Sequence, residues 1–371
     1  MEGKKADVWF SDLRTVPMGD GLQAKLRKLM LAAGFGRLDL EGKFVAVKLH
    51  FGEPGNLAFL RMNWARTVCD LVKERGGKPF VTDCNTLYVG GRKNALDHLD
   101  TAYMNGYNPL CLGCHTLIAD GLKGTDDVEV PVPGGHYVKA AKIGRAVMDA
   151  DVVISLTHFK GHECTGFGGA IKNIGMGCGS RAGKMEMHAA GKPTVDQSLC
   201  VGCGRCAKIC AHDAPRIAGG KAAIDHAKCV GCGRCIGVCP KDAITPDYDA
   251  ANDVLNRKMA EYALAVLHGR PHFHVSLAID VSPFCDCHAE NDVPIVPDVG
   301  MFASFDPVAI DRACADAVNA AEPLPGSRLT EAPARHVDHF GTVSPNTDWR
   351  TCLEHAEALG LGTQSYTLHR V

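Results

Sequence analysis

The sequence predicts an α/β fold, a mostly parallel sheet with flanking helices, interrupted by a small α+β unit near the middle of the chain. Three observations predict it. Short β-rich runs alternate with helical patterns over the first 192 residues. A seven-residue stretch, CVGCGRC, then occurs twice, beginning at Cys200 and at Cys229. After the duplication the strand–helix alternation resumes, so the duplicated region reads as an insertion and not as an appendage.

The first part covers residues 1–192. ADVWFSDL reads as a strand and GLQAKLRKLMLAAGF as a helix. FVAVKLHF is a near-continuous apolar strand, and FLRMNWARTVCDLVKERGG is an amphipathic helix closed by glycines. PFVTDC is a third strand, RKNALDHLDTAYMNGY the helix after it, and DVVISLTHF another buried strand. Residues 193–248 form the inserted unit. In the second part, residues 249–325, the order is helix (NRKMAEYALAVLHG), strand (HFHVSLAIDVS), strand (VGMFASFD) and helix (PVAIDRACADAVNAA). A proline-bearing linker, EPLPGSRLTEAP, leads into a C-terminal helical extension, residues 326–371, with DWRTCLEHAEALGLG as its helix.

Composition narrows the function. The 371 residues are 46% apolar and 22% charged, enough to bury a core. A formal net charge of −2 offers no basic surface for nucleic acid or anionic lipid. MEGKKADVWFSDLR lacks the apolar core of a signal peptide, and no apolar run reaches the ~18 residues of a membrane helix. The expectation is a cytoplasmic protein with neither membrane nor nucleic-acid partner. Eighteen cysteines in a reducing compartment are expected to be metal ligands, catalytic thiols or core residues, not disulfides.

The repeat sorts eight of them. CVGCGRCAKIC places Cys200, Cys203, Cys206 and Cys210 in C-x2-C-x2-C-x3-C spacing, and CVGCGRCIGVCP does the same for Cys229, Cys232, Cys235 and Cys239. This is the bacterial pattern for two [4Fe–4S] clusters, in which the fourth cysteine of each run ligates the other cluster. The predicted sets are Cys200, Cys203, Cys206 and Cys239 for one cube and Cys229, Cys232, Cys235 and Cys210 for the other. Thiolates suit iron because they are soft, strongly donating ligands. The glycines let backbone N–H groups approach the sulfurs. Two zinc knuckles are the competing reading, but zinc takes four ligands and has no use for the third close cysteine in each copy. Ala211 stands where a proline is usual after the first run.

In α/β sheets chemistry gathers in loops at the carboxyl ends of strands. KLHFGEPGN supplies His50 and Glu53. THFKGHECTGFGGAIKNIGMGCGSRAGKMEMH supplies His158, Lys160, His162, Lys172, Cys178 and His188. DVSPFCDCHAEND supplies Asp280, Cys285, Cys287 and His288.

The stretch VISLTHFKGHECTGFGGAIKNIGMGC, together with VKLHFGEPGN, SPFCDC and VGMFASFDPVAID, resembles the DUF362 family, iron–sulfur proteins in which a ferredoxin module interrupts an α/β domain. The resemblance covers nearly the whole chain and implies clusters and redox chemistry without naming a substrate. Over fewer than thirty residues, His162, Gly166-Phe167, Gly168-Gly169, Lys172 and His188 are similar to the nickel-pincer lactate racemases. That resemblance implies a cofactor-anchoring role for Lys172, metal binding by His188 and proton transfer by His162, with His50 as a candidate second proton carrier.

Each assignment has a plainer alternative. GFGGAIKNIGMGCGS lacks both the G-x-G-x-x-G fingerprint and a G-K-[ST] ending, so it reads as a tight backbone-approach loop rather than a nucleotide cradle. Lys172 reads otherwise as a solvated lysine, and His162, His188 and His50 as hydrogen-bonded structural histidines. Cys285 and Cys287, with Cys178, are candidates for a third metal centre, against a reading as spare or redox-active thiols. CLGCH, Cys111 to His115, matches the c-type haem signature. Such haem is attached outside the cytosol, so a surface loop with two thiols is expected instead. Cys69, Cys314 and Cys352 fall within helical patterns and read as core, and Cys84 ends a strand near the cleft.

Two functions survive. One is an oxidoreductase in which the clusters pass electrons to or from a small-molecule substrate in the α/β cleft, served by a redox partner protein such as a ferredoxin or flavoprotein. The other is a non-enzymatic electron carrier or metallocentre-assembly protein. The size of the α/β part and its three polar loops favour the enzyme, since a bare carrier needs only the cysteine-rich unit.

Overall fold

A computed structural model of the chain describes residues 5–87, 90–188, 192–246, 252–331 and 338–371. One eight-stranded sheet organises it, in the order Tyr366–Arg370, Ala6–Ser11, Gly300–Ser304, His272–Ala278, Val152–His158, Phe44–Lys48, Lys78–Asp83, His115–Ile118. Only Gly300–Ser304 runs against its neighbours; every other pairing in this sheet is parallel. The mixed α/β architecture with a mostly parallel sheet is therefore what the alternating pattern called for.

The central strands are apolar on both faces because helices cover both. Val152–His158 is buried at every position. On one face Leu26, Leu29, Val68 and Val72 of the helices Leu22–Ala32 and Met62–Glu74 pack against Val47, Ile154 and Val275. On the other, the helices Ala170–Cys178, Asn252–Leu267 and Pro307–Asn319 close over Val153 and Phe302. Cys69, Cys314 and Cys352 lie in these cores.

Three expectations change. The C-terminal part, expected as a helical extension, also supplies the edge strand Tyr366–Arg370, which pairs parallel with Ala6–Ser11. The long segment after Val152–His158, expected as a loop, contains a hairpin (Lys160–His162 with Gly166–Gly168) and two helices, Ala170–Cys178 and Arg181–His188. Its glycines reflect close packing: a Cβ at Gly175 would overlap the Met259 carbonyl, and one at Gly177 would overlap the Lys48 ammonium. CLGCH is not a surface loop with two thiols. Cys114 is buried and its thiol donates to Cys69 Sγ at 3.3 Å, while His115 opens the edge strand. Among the described residues no helix is long and apolar enough to cross a membrane.

The cysteine-rich unit closes on itself. Pro193–Val195 pairs antiparallel with Ile244–Pro246, and Pro215–Ala218 with Lys221–Ile224. The helix Arg205–Ile209 of the first copy recurs as Arg234–Val238 in the second. Gly202 and Gly204 adopt positive φ, as do their counterparts Gly231 and Gly233, and Asp213 (φ 48°) is matched by Asp242 (φ 49°). Each strand of one copy pairs with a strand of the other, so the copies are interlocked rather than stacked.

Helix Ala170–Cys178, which carries Lys172, starts at Gly169 with no side-chain cap of its own. Asp311, buried on the helix Pro307–Asn319, supplies the missing acceptor and takes the N–H groups of Ala170 (2.6 Å) and Ile171 (2.9 Å). Replacing Asp311 by alanine strands both donors in the core and is expected to lower the unfolding free energy by about 2–4 kcal/mol. Asp311→Asn, which keeps one acceptor, should lose less; denaturant melts of the three proteins measure the order.

Candidate functional site

The parallel strands deliver their last residues, Lys48, Asp83 and His158, to one cleft at their carboxyl ends. The three polar loops identified in the sequence converge there, joined by a fourth. Glu53 binds across them: its N–H donates to the Asp286 carbonyl at 2.9 Å, and its carboxylate accepts from Gly91 N–H and from Arg92 Nε at 2.5 and 2.7 Å. His158 Nδ1 meets Asp286 Oδ1 at 2.8 Å, and Lys160 Nζ lies 3.4 Å from Asp286 Oδ2. Burial works to raise the Asp286 carboxyl, but His158 and Lys160 outweigh it and hold it well below the carboxylate range.

Lys172 is partly buried and donates to Cys285 Sγ at 3.4 Å. Burial alone would lower its pKa; the thiols of Cys285 and Cys287 and the Glu163 carboxylate overcome this and keep it firmly protonated. A ring nitrogen of His162 and the sulfurs of Cys285 and Cys287 lie within 4.8 Å of one another, compact enough for one ion. Cys178 does not join them. It sits on the inner side of its helix, where its carbonyl accepts from the Cys84 thiol at 3.4 Å, and burial pushes its own thiol up to about 11. The expected trio of Cys178, Cys285 and Cys287 is thereby corrected, with His162 in the place of Cys178.

Three of the histidines, His50, His162 and His188, are shifted toward the neutral form. Burial, reinforced by the Lys172 charge, holds His162 at about 4; burial with the charges of His162 and Lys172 holds His188 at about 3. Burial and the charges of Arg92 and Lys160 hold His50 well below its ordinary value. His162 Nδ1 accepts the N–H groups of Cys164 (3.0 Å) and Thr165 (3.3 Å), and His50 Nδ1 accepts that of Gly52 (3.0 Å). The remaining proton of each ring is therefore on Nε2.

Lys48, Asp83, Arg92 and Lys184 were not singled out in the sequence, yet all four line the cleft. Lys48 pairs with Asp83 at 3.1 Å and with Asn173 Oδ1 at 2.9 Å. The available signal was a charged residue ending an otherwise apolar strand, in FVAVK and PFVTD.

The cysteine-rich unit abuts this cleft. Cys200, Cys203 and Cys206 of the first copy share one cavity with Cys239 of the second. Backbone N–H groups of Ala222 and Ala243 donate to Cys200 Sγ (3.2 Å) and Cys239 Sγ (3.3 Å). Burial, then the charges of Cys229 and Cys232, pushes the Cys235 thiol up to about 12. Thiols crowded in this way hold protons unless cations replace them.

Three pairs of adjacent residues separate cleft from unit. Thr86 and Lys184 line the cleft, while Leu87 and Met185 beside them pack into the core of Cys200, Cys206, Cys235 and Ile236. Arg92 lines the cleft, and Lys93 next to it reaches the Cys239 carbonyl at 3.4 Å and pairs with Asp242.

Cys285 and Cys287 titrate as a pair. The hydrogen bond to Cys287, followed by burial, pushes Cys285 up to about 12; the same bond, aided by Lys172 and Arg92, lowers Cys287. Alkylation of Cys287, followed by mass spectrometry against pH, is expected to reach half-maximal rate below the ordinary thiol value of 9.0. Lys172→Met should raise that midpoint by about one pH unit or more; an unmoved midpoint would show that Lys172 does not act on the pair.

Comparison with known proteins fits this geometry into a family. A protein of Synechocystis sp. (strain ATCC 27184 / PCC 6803 / Kazusa), "Thylakoid-associated protein sll1697", is 30% identical over 167 residues, covering 42% of this chain and 46% of that protein. Among solved structures, the lactate racemase apoprotein from Thermoanaerobacterium thermosaccharolyticum is 12% identical with a TM-score of 0.33, covering 74% of this chain and 51% of its own. A structural-genomics protein from Thermotoga maritima is 12% identical with a TM-score of 0.36, covering 69% and 50%. The chain thus spans about half the length of each of these three proteins. The family described as "Domain of unknown function (DUF362)" matches residues 45–316, most of the chain and all of the cleft residues described above, and the chain belongs to that family.

Proposed function

We propose that this chain is an iron–sulfur redox protein whose two [4Fe–4S] clusters relay electrons to or from the cleft, making it an oxidoreductase for a small molecule held there. One cube is held by Cys200, Cys203, Cys206 and Cys239 and the other by Cys229, Cys232, Cys235 and Cys210. The observation that carries the reading is the shared wall: Thr86–Leu87, Arg92–Lys93 and Lys184–Met185 each face the cleft with one residue and the cysteine-rich unit with the next. A carrier alone has no need of a buried, charged cleft one residue from its clusters.

When bound, the clusters supply single electrons. The chain's own residues do the rest. Cys200 and Cys239 receive backbone N–H bonds that stabilise them as thiolates. His50 and His162, uncharged, present Nε2–H groups that can steady negative charge developing on a reacting atom, as neutral imidazoles do in other enzymes. Lys172 adds a fixed positive charge beside the thiol pair. Val201 and Val230, equivalent positions in the two copies, are exposed beside the cysteine loops and offer an apolar contact for a redox partner protein.

Protein purified without oxygen should contain about eight irons and eight sulfides per chain. The double variant Cys206→Ala/Cys239→Ala removes two ligands of one cube and should keep about four irons, whereas ligation within each copy would damage both centres. Iron near zero in the wild type would end the proposal. Nickel or zinc beyond the cluster iron, lost on Cys285→Ala, would mark a third centre at His162, Cys285 and Cys287.

A further inference from the structure

Cationic side chains gather in the cleft. Five line it: Lys48, Arg92, Lys160, Lys172 and Lys184. Asp83, Asp286 and Glu53 lie within ion-pair distance of Lys48, Lys160 and Arg92, and Glu163 and Asp120 act on Lys172 and Lys184 from farther away. A buried polar group without a hydrogen-bond partner is costly, so the informative cation is the one whose donors are not all used.

Arg92 is such a cation. Its side chain is 2% exposed. Nε donates to Glu53 at 2.7 Å, and Nη1 lies 3.8 Å from Asp83, beyond hydrogen-bond range. Nη2 is buried and has no hydrogen-bond partner among the described residues. A guanidinium offers its N–H groups as a planar fork suited to two oxygens of a carboxylate or phosphate. Glu53 fixes the Nε edge, which leaves the Nη edge of the fork open. Lys172 makes one bond, to Cys285, so its ammonium has donors to spare. His50 lines the same cavity with its Nε2–H.

We infer that the cleft binds a small oxyanion, a carboxylate or phosphate-type group, with Arg92 as its principal ligand and Lys172 and Lys160 adding positive charge beside it. The oxyanion would be the handle that places a reacting carbon or heteroatom against the Cys285–Cys287 corner, a role that rests on the redox reading above. The binding itself does not rest on it. The ligand is a small molecule, because the side chains of Lys160 and Lys172 close in on Gly168 so tightly that both would crowd an added Cβ there.

The test is equilibrium dialysis of the iron-loaded full chain against two labelled probes, inorganic phosphate and oxalate, in chloride-poor buffer. Saturable binding of at least one probe below about 10 mM is expected. The tighter probe identifies the oxyanion type. Arg92→Gln should weaken that binding by about tenfold or more and Arg92→Lys by less, because a lysine keeps the charge and loses the fork. Should Arg92→Gln fail to fold by circular dichroism, Lys172→Gln carries the same criterion, as its partner is a thiol and not a carboxylate. Absence of saturable binding to the wild type, or unchanged affinity in the folded variants, overturns the inference. Iron and sulfide counts on the same samples read the redox proposal separately. Binding without cluster iron upholds this site and removes its redox role; cluster iron without binding does the reverse.

Discussion

The arrangement depends on one buried guanidinium. Arg181 begins the helix Arg181–His188, is fully buried, and lies against Gly233 and Gly237 of the second cysteine run, where a Cβ at either glycine would overlap it. Its backbone N–H donates to the Gly124 carbonyl and its Nη2 to the Lys93 carbonyl. Arg181 therefore ties together the cysteine-rich unit, the Arg92–Lys93 loop and the helix bearing Lys184. Burial lowers its pKa while Asp120 and the sulfurs of Cys235 and Cys232 oppose the shift, so its charge is partly supported by the cysteines it touches. Remove it, and nothing of comparable size fills the seam between unit and cleft.

That seam gives the cleft its character. The strand ends bring Lys48, Asp83 and His158 together, and the helix packed on them adds Lys172 and Asn173. Asn173 binds the scaffold on four sides: it accepts from Lys48 Nζ and donates to the Lys48 and Leu156 carbonyls and to Thr157 Oγ1. A lysine, an amide and two strand ends thus fix one another before any ligand arrives. Such preorganisation is what a site needs if it is to stabilise charge without rearranging. Neutral histidines suit the same surroundings, since a further cation among five would be expensive to bury.

What the sequence made legible follows from how far apart the cooperating residues lie. The duplicated cysteine spacing was legible because it falls on neighbouring residues, and the fold brings Cys239 of the second run beside Cys200, Cys203 and Cys206 of the first. The parallel sheet was legible because strands buried on both faces leave apolar runs such as DVVISLTHF. The cleft was only half legible. His50, His162, Lys172, His188, Cys285 and Cys287 fall in stretches of sequence whose polarity attracts notice, and the fold brings His162, Lys172, Cys285 and Cys287 into contact range. Lys48 and Asp83 end apolar strands and Arg92 follows two glycines, so each looks ordinary until the others are placed around it. Cys178 misled because its loop is in fact a helix, on which that thiol is buried away from Cys285 and Cys287. The glycines that hid the helix are there because Met259 and Lys48 leave no room for side chains.

Two proposals meet at Arg181, that the chain holds two cubes and that one of them is docked there on the wall of the cleft. A potentiometric titration of the iron-loaded chain, followed by electron paramagnetic resonance, addresses both when wild type is compared with Arg181→Gln. The account predicts two one-electron centres, of which one moves to lower potential on loss of the neighbouring positive charge while the other stays in place. Two centres that both remain unmoved, or the absence of cluster signals in the wild type, would contradict it.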